Sequence, residues 1–531
     1  MTMYRLLTGA TGLLGRYLLR DLVLQEEPVA VLVRPSRWET PEQRVDQILS
    51  FWDEQWGRSL PRPVVLQGDI TEPLLGLNGA QIAWARRHCR SVLHSAASLS
   101  FHEEDGEPYR SNVDGVRNVL EFCRFAGVRV LDHVSTSYVC GLRSGTVYES
   151  ELDVGQAMAN DYEKSKLAAE RLVRSDKHLE AFRIFRPSII TGERRTGYTS
   201  TFHGFYTPLR IAYALLSMIH FEELFQVDYL GLLGLTGQER KNLVPVDWVS
   251  DAMVTLLRRR PPGNETFALV CPQAVTVARI LRVFEEVVRR RGRPATLAQK
   301  ADGGSAERRD EPTGAATEFP GMELFQKAYV EQFAAYRSYW RDEPQFDCTN
   351  TLAALPDKPC PSMSDEVLTR LCEYAIDNRF GWPRKPAPPL KFSAGDWLRR
   401  RLRADAPDGG PPSDGADERR QTLGLTVTGS GGGCWTILGD ARGGLLCREG
   451  RVPADTEVRM NSRTFQDMVE GATTLEQTLR QARVMVRGDR SGLAALQALV
   501  GGFSPSCCDG LRSQAAYGEA WEEGKPTTTN D

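Results

Sequence analysis

The stretch Tyr4-Arg5-Leu6-Leu7-Thr8-Gly9-Ala10-Thr11-Gly12-Leu13-Leu14-Gly15 runs from an apolar strand pattern through a glycine-rich turn into a helix. Over residues 13–24 the apolar positions Leu13, Leu14, Tyr17 and Leu18 fall on one helical face. Glycines in such a turn let backbone approach a pyrophosphate, and the helix start offers unpaired N–H groups and the positive end of a dipole. The spacing here is G-x-x-G-x-x-G, and glycines are common in turns of every kind. The strand before and the amphipathic helix after point to a dinucleotide site formed by Thr8, Gly9, Thr11, Gly12, Leu13, Leu14 and Gly15.

The second strand, Val29–Val33, chooses between the two nicotinamide cofactors. An NAD site usually carries Asp or Glu about 20 residues beyond the turn, for the ribose 2′-hydroxyl. Here the strand ends in Arg34, and Arg37 follows. A guanidinium at that place can clamp a 2′-phosphate, so the expected cofactor is NADP(H); the alternative is a solvated surface arginine. Gly68-Asp69-Ile70 follows a third strand. Asp69 can accept from the adenine amino group with Ile70 beside the ring, or simply close an Asp turn.

Further apolar runs at Val64–Leu66, Ser91–Leu93, Val130–Val134 and Phe182–Phe185 alternate with helical patterns around 41–52, 81–87, 113–125 and 161–173. Alternation of this kind implies βαβ units and a buried parallel sheet. Helical segments are also expected over 243–259, 276–291, 322–340 and 364–378, with a polar loop at 300–317. The apolar, aromatic stretch Thr199–Leu235 reads either as a lid over a site or as ordinary core. Ala404–Gln421 is rich in Pro, Gly and Asp and cannot bury enough apolar surface to fold. The expected division is therefore a dinucleotide-binding domain at 1–300, a helical extension at 301–403, a linker at 404–421, a compact unit at 422–503 and a disordered tail at 504–531.

Composition narrows the class. With 66 basic and 69 acidic residues the formal charge is −3, which gives no basic field for nucleic acid and leaves room for peripheral membrane contact at most. The most lipophilic run, Ile211–Leu235, is interrupted by Glu222, Glu223 and Asp228 and is too polar to span a bilayer. The opening MTMYRLLTGATG lacks a secretory pattern. Eleven cysteines, odd in number and without a C-x-x-C pair, argue against a disulfide framework or a metal site; free thiols, including Cys507 and Cys508, and a cytoplasmic location are expected.

Asn160-Asp161-Tyr162-Glu163-Lys164-Ser165-Lys166 reads as a capped helix start. Tyr162 and Lys166 are four apart and project from one face. A free phenol titrates near about 10, and a nearby ammonium is expected to lower that value so that Tyr162 can exchange a proton with a carbonyl oxygen. A tyrosine anchored on a core face would show the same spacing. Val130–Val134 ends in Ser135-Thr136-Ser137-Tyr138, at the carboxyl end of a strand where open α/β sheets bind ligands. One hydroxyl there can donate to the developing alkoxide, or merely cap the strand.

As a set, TGATGLLG (8–15), GDI (68–70), HSAAS (94–98), NVDGVRNVL (112–120), HVSTSYVCG (133–141), YEKSK (162–166), RPSIITGE (186–193) and LVPVDWVSDAM (243–253) resemble the extended short-chain dehydrogenase/reductase superfamily. The resemblance implies a Rossmann-type doubly wound parallel sheet with a smaller substrate subdomain. It implies Thr136 as carbonyl donor, Tyr162 as acid/base, Lys166 as phenolate stabiliser and ligand of the nicotinamide ribose, and Asn112 as a helix or water-relay anchor. His94, Ser95, Ala96 and Ala97 would line the diphosphate-ribose, and Pro187, Ser188 and Ile189 the nicotinamide. VLHSAASLSF, RPSIITGERRTG and FDCTNT (346–351) look like the fatty acyl-CoA reductase and thioester-reductase branch; a hydroxysteroid dehydrogenase-like branch stays open.

Residues 423–503 are similar to the sterol carrier protein type-two family, through GGGCWTI (431–437), REGRVPADTEVRMNSRTFQDMVEG (448–471) and VRGDRSGLAALQALV (486–500). That implies an α+β lipid-carrier-like domain, with a dimerisation module as the alternative. The expected activity is hydride transfer from NADPH to a carbonyl of a lipid-like substrate, an acyl thioester or fatty aldehyde first. A ketone or hydroxyl on a steroid, quinone or polyprenyl skeleton comes second, and a non-catalytic NADP-binding lipid carrier is the rival from another class. An acyl carrier protein and a second copy of the chain are the candidate macromolecular partners.

Overall fold

Leu6 and Leu7 of β1 (Tyr4–Thr8) are fully buried, because β1 lies inside a parallel sheet covered on both faces. The structure, a computed structural model, describes residues 2–36, 39–215, 228–259, 263–291, 327, 330–331, 340–381, 392–404, 421–428, 431–439, 445–450, 452–480, 483–489 and 491–500. Arg37, the polar loop at 300–317, all but a few residues of the helix expected at 322–340, almost all of the linker, and the tail with Cys507 and Cys508 lie outside the described residues. Two compact units are present: residues 1–45 with 61–386, and residues 46–60 with 387–531.

In the first unit β2 (Val29–Val33), β3 (Val64–Gln67), β4 (Cys89–His94), β5 (Val130–Val134), β7 (Ala181–Pro187) and β11 (Glu265–Leu269) join β1 in the order β11-β7-β5-β4-β1-β2-β3, every pair parallel. The order reverses between β1 and β4, and ligands in such sheets bind beyond the strand ends at that point. The intervening helices are α1 (Leu13–Leu24), α2 (Pro41–Trp56, whose residues from 46 onward count with the second unit), α3 (Gly79–His88), α4 (Gly115–Ala126) and α5 (Asp161–Ser175). On one face α4 and α5 bury Val116, Val119, Phe122, Ala169 and Val173 against the sheet. On the other, α1 packs beside α8 (Val246–Arg259), and Ser250 of α8 donates to Asp21 of α1 at 2.6 Å.

Short pairs complete this unit: β6 (Thr146–Val147) with β13 (Gln345–Phe346), β8 (Ile189–Thr191) with β10 (Leu243–Pro245), and β9 (Arg240–Lys241) with β12 (Val275–Thr276). β11 is absent from the sequence reading; ETFAL is five residues long and gains its place by pairing with β7, 82 positions upstream in register. A second core gathers α6 (Tyr206–Leu215), α7 (Tyr229–Leu233), α9 (Val277–Arg291) and α11 (Asp365–Asp377), the last preceded by α10 (Thr349–Ala354). In 199–235, Phe205, Tyr206, Leu209 and Ala212 pack into that core, while residues 216–227 are outside the described set.

The second unit holds a five-stranded sheet, β16 (Leu445–Glu449), β15 (Gly433–Gly439), β14 (Gln421–Thr428), β17 (Thr456–Asn461) and β18 (Val484–Gly488), with β14 and β17 parallel and the other pairs antiparallel. Helices α12 (Ala394–Ala404), α13 (Ser462–Val469), α14 (Leu475–Arg480) and α15 (Leu493–Val500) accompany it. Ala394 and Leu398 sit in the core with Leu425, Ile437 and Phe465, so α12 belongs here and not to the extension that the composition break at 404 suggested. Within the same unit Asp53 is fully buried and accepts from Leu60 N–H and the Thr428 hydroxyl, and Arg459 pairs with Asp46. No described helix is long and apolar enough to cross a membrane.

Candidate active site

Gly9 carries φ of +77°, and a Cβ there would lie 2.6 Å from the Ala96 nitrogen. A side chain at Gly15 would run into the Gly9 carbonyl oxygen. The turn therefore needs glycine at both places. Gly12 opens α1 with no side-chain cap, leaving the first-turn N–H groups to serve an anion. Thr8 lies beneath the turn, fully buried; its hydroxyl meets His94 Nδ1 at 2.7 Å and accepts from Ala96 N–H at 3.3 Å. His94 stacks on His133, its neighbour in β5, and burial pushes the His94 imidazole down to about 3 and His133 well below its usual range, so both are neutral.

Beyond β5, three adjacent hydroxyls have three different partners. Ser135 donates to the buried Glu170 at 2.6 Å and Ser137 to the Arg186 carbonyl at 2.8 Å. Thr136 starts a short helical turn, accepts from Tyr138 N–H at 3.3 Å, donates to the Pro187 carbonyl at 3.4 Å and lines the same cavity as Tyr162.

Asn160 caps α5 by accepting from Glu163 N–H at 2.9 Å, which fixes the first turn that carries Tyr162. Asn112 donates to Ser165 Oγ at 2.9 Å and to the Ser98 carbonyl at 3.0 Å, and accepts from Ser98 N–H, so it ties the loop after β4 to α5. The lowered phenol pKa expected from the Tyr162–Lys166 spacing is not found. Burial pushes Tyr162 up to about 12, and the Thr136 hydrogen bond only partly offsets it. Lys166 directs its ammonium at the Val134 carbonyl, 2.7 Å away, and burial lowers its pKa to about 8. Glu170, one turn further, is held by Arg186 and Arg174.

One cavity of about 760 Å³, within the usual range for a ligand site, is lined by both the glycine turn and the hydroxyl cluster. Of the residues singled out in the sequence, Gly9, Gly12, Leu13, Leu14, Gly15, Ser95, Ala97, Thr136, Tyr162, Lys166, Pro187, Ser188 and Ile189 line it. Thr8, His94 and Ala96 support it from beneath, and Asn112 from the side. Thr11, Arg34, Asp69 and Ile70 are not among the lining residues. Arg34 has a side chain 65% exposed, 3.5 Å from Asp69 Oδ2. The other Asp69 oxygen accepts from Thr71 N–H and hydroxyl, the Asp-turn alternative. Ile70 packs on Gly115 of α4.

The sequence reading missed Glu170, although it repeats the Tyr162–Lys166 spacing once more along the same face. It also missed Tyr138, Asn242 and Glu343. Tyr138 lies inside a quoted segment, but Glu343 reaches it across 205 positions and leaves no local trace.

Residues 7–253 match the family model described as Male sterility protein. The terminal R domain from the myxalamid PKS-NRPS biosynthetic pathway superposes with a TM-score of 0.54 at 24% identity, covering 73% of this chain and 93% of that one. A thiolation-reductase di-domain from an archaeal non-ribosomal peptide synthetase gives 0.50 at 19% identity, covering 72% and 76%. Fatty acyl-CoA reductase 1 of Gallus gallus is 27% identical over 236 residues, 38% of this chain and 46% of that protein. The chain spans 34%, 7% and 36% of the length of the first curated relatives it matches. Residues 7–253 carry that likeness, and the seven-stranded parallel sheet is of the Rossmann type that these solved structures share.

Proposed function

We propose that this chain is an NADPH-dependent reductase acting on the carbonyl of a hydrophobic acyl thioester, giving an aldehyde or alcohol. The observation that carries the reading is the gathering of Thr136, Tyr162 and Lys166 around the cavity that also holds the glycine turn. The uncapped helix start and the clearance that only Gly9 and Gly15 allow suit the cofactor's diphosphate. Arg34, at the end of β2, would take the 2′-phosphate. When bound, the nicotinamide supplies hydride.

The protein side of the reaction follows from the two hydroxyls. Thr136 and Tyr162 would both donate to the substrate carbonyl oxygen, stabilising the negative charge that grows on it. Tyr162, kept protonated by burial, then gives that oxygen its proton. Lys166, held by the Val134 carbonyl, presents a cation beside the developing tyrosinate. Collapse of the resulting hemithioacetal breaks the C–S bond and releases a thiol with the aldehyde. The names of the relatives favour a thioester, on coenzyme A in one case and next to a thiolation domain in the other. The second unit, with its sheet and helices around an apolar core, is read as a lipid-holding domain that keeps such substrates near.

The test is NADPH oxidation by the full chain with long-chain acyl-CoA, acylated carrier protein, fatty aldehyde and ketone substrates. Turnover of the thioesters is the expected result. Turnover confined to ketones assigns the chain to the steroid- or quinone-type branch, and NADPH binding without turnover of any of the four makes it a carrier. In Arg34→Asp the preference for NADPH over NADH should vanish, and an unchanged preference removes the role given to that arginine.

A further inference from the structure

Residues 341–347 lie against the loop that follows β5. Arg341 donates to the Gly141 carbonyl, Gln345 N–H to the Gly145 carbonyl, and β13 pairs with β6. On its other side the same segment holds β9, through the two-pronged Arg240–Asp342 pair. Glu343 is the one side chain of this strap that reaches both. It is buried, and one carboxylate oxygen accepts from the Tyr138 hydroxyl at 2.8 Å and from Lys241 Nζ at 3.0 Å. The other accepts from Asn242 N–H at 2.7 Å.

Each of those contacts leads back to the cavity. Tyr138 lines it, and the Tyr138 N–H is the donor that orients the Thr136 hydroxyl. Asn242 Oδ1 accepts from the hydroxyl of Ser188, which lines the cavity beside Pro187. One buried carboxylate thus fixes the tyrosine next to the Thr136–Tyr162 pair and the serine on the wall where the nicotinamide is expected. A carboxylate with both oxygens held by directed donors is a rigid support, since moving it strands several buried partners together.

We infer that Glu343 is a positioning residue of the active site, holding Tyr138 and, through Asn242, Ser188, so that the Thr136 hydroxyl faces the substrate carbonyl. The kinetic part of this inference rests on the reductase reading above. Tyr138 and Glu343 act as one unit on the substrate, while the glycine turn that binds the dinucleotide lies outside their reach.

The experiment compares Glu343→Gln, Tyr138→Phe, the double variant and Asp342→Asn as a strap control, all in the full chain. Steady-state kinetics with the thioester, NADPH binding by fluorescence, and hydrogen exchange of peptides covering 136–142 are measured for each. Glu343→Gln and Tyr138→Phe should each lower kcat/KM for the thioester roughly tenfold, with the double variant no worse than either. NADPH affinity should stay within about twofold, exchange over 136–142 should quicken in Glu343→Gln, and Asp342→Asn should match the parent. Multiplying effects in the double variant, or a Tyr138→Phe indistinguishable from the parent in both kinetics and exchange, would overturn the inference. So would a Glu343→Gln whose losses in turnover and NADPH binding move together with its melting temperature. If the parent binds NADPH but turns over nothing, quickened exchange in Glu343→Gln still supports the anchor while the reductase reading falls; unchanged exchange removes the anchor as well.

Discussion

At the scale of single residues, the candidate site is a phenol that burial keeps protonated, a hydroxyl lining the same cavity and an ammonium tied to a backbone carbonyl. Tyr162→Phe removes the proposed proton donor but none of the turn proposed to bind the dinucleotide. We expect kcat to fall by about 10²–10⁴ with the NADPH dissociation constant unchanged, as read by fluorescence titration. The pH profile of reduction follows from two directions of shift. Tyr162, at about 12, stays protonated across the working range, whereas Lys166, at about 8, loses its charge first. The rate should hold below that value and decline as pH rises through it, in a kcat/KM profile from about pH 6 to about pH 10. A profile flat to the top of that range would remove Lys166 as the group that titrates. That Tyr162 and Lys166 face one cavity was legible from their four-residue spacing. The direction of the ammonium was not, because spacing shows which side chains share a face and says nothing of the carbonyl at the end of a neighbouring strand.

At the scale of elements, the turn between β1 and α1 carries the cofactor reading and is the most sensitive to one added carbon. Gly9→Ala puts a methyl group against Ala96 and forces a left-handed backbone on an L residue, a strain of about 1–3 kcal/mol. NADPH affinity should fall at least roughly tenfold, a shift that an unchanged binding isotherm would contradict. In α5, Glu170 is fully buried; burial alone would raise its pKa, and Arg186, with help from Arg174 and Ser135, brings it below the usual range. Glu170→Gln leaves buried guanidinium groups short of a counter-charge and should cost about 3–5 kcal/mol, visible as a lower urea midpoint at neutral pH. Because the folded carboxylate titrates low, its contribution is present above the ordinary glutamate range and is lost as pH falls through the depressed value, so the gap between parent and variant should shrink in acid. Strands β1, β2 and β5 and helix α1 were readable end to end from apolar pattern alone. β11 and α12 were not: the first is defined by a distant parallel neighbour, and the second by a core whose other members come after the composition break.

At the scale of the whole molecule, the chain forms two compact units, and the second draws on residues 46–60, far upstream of its sheet. Asp53 is the clearest marker, fully buried with Leu60 and Thr428 as partners. Asp53→Ala strands the buried Leu60 amide, leaves the Thr428 hydroxyl with the Met460 carbonyl, and should lower stability by about 1–3 kcal/mol. Hydrogen exchange should show the loss in peptides from 421–428 and 456–461, and protection unchanged there would remove Asp53 from that core. The discontinuity also sets a timetable for synthesis. Residues 46–60 leave the ribosome long before residue 387, and at 5–20 residues per second the wait is roughly 15–65 s. Throughout that interval the nascent chain displays a helical segment whose companions do not yet exist. A holding chaperone would shield that exposure, and rapid translation of the residues in between would shorten it.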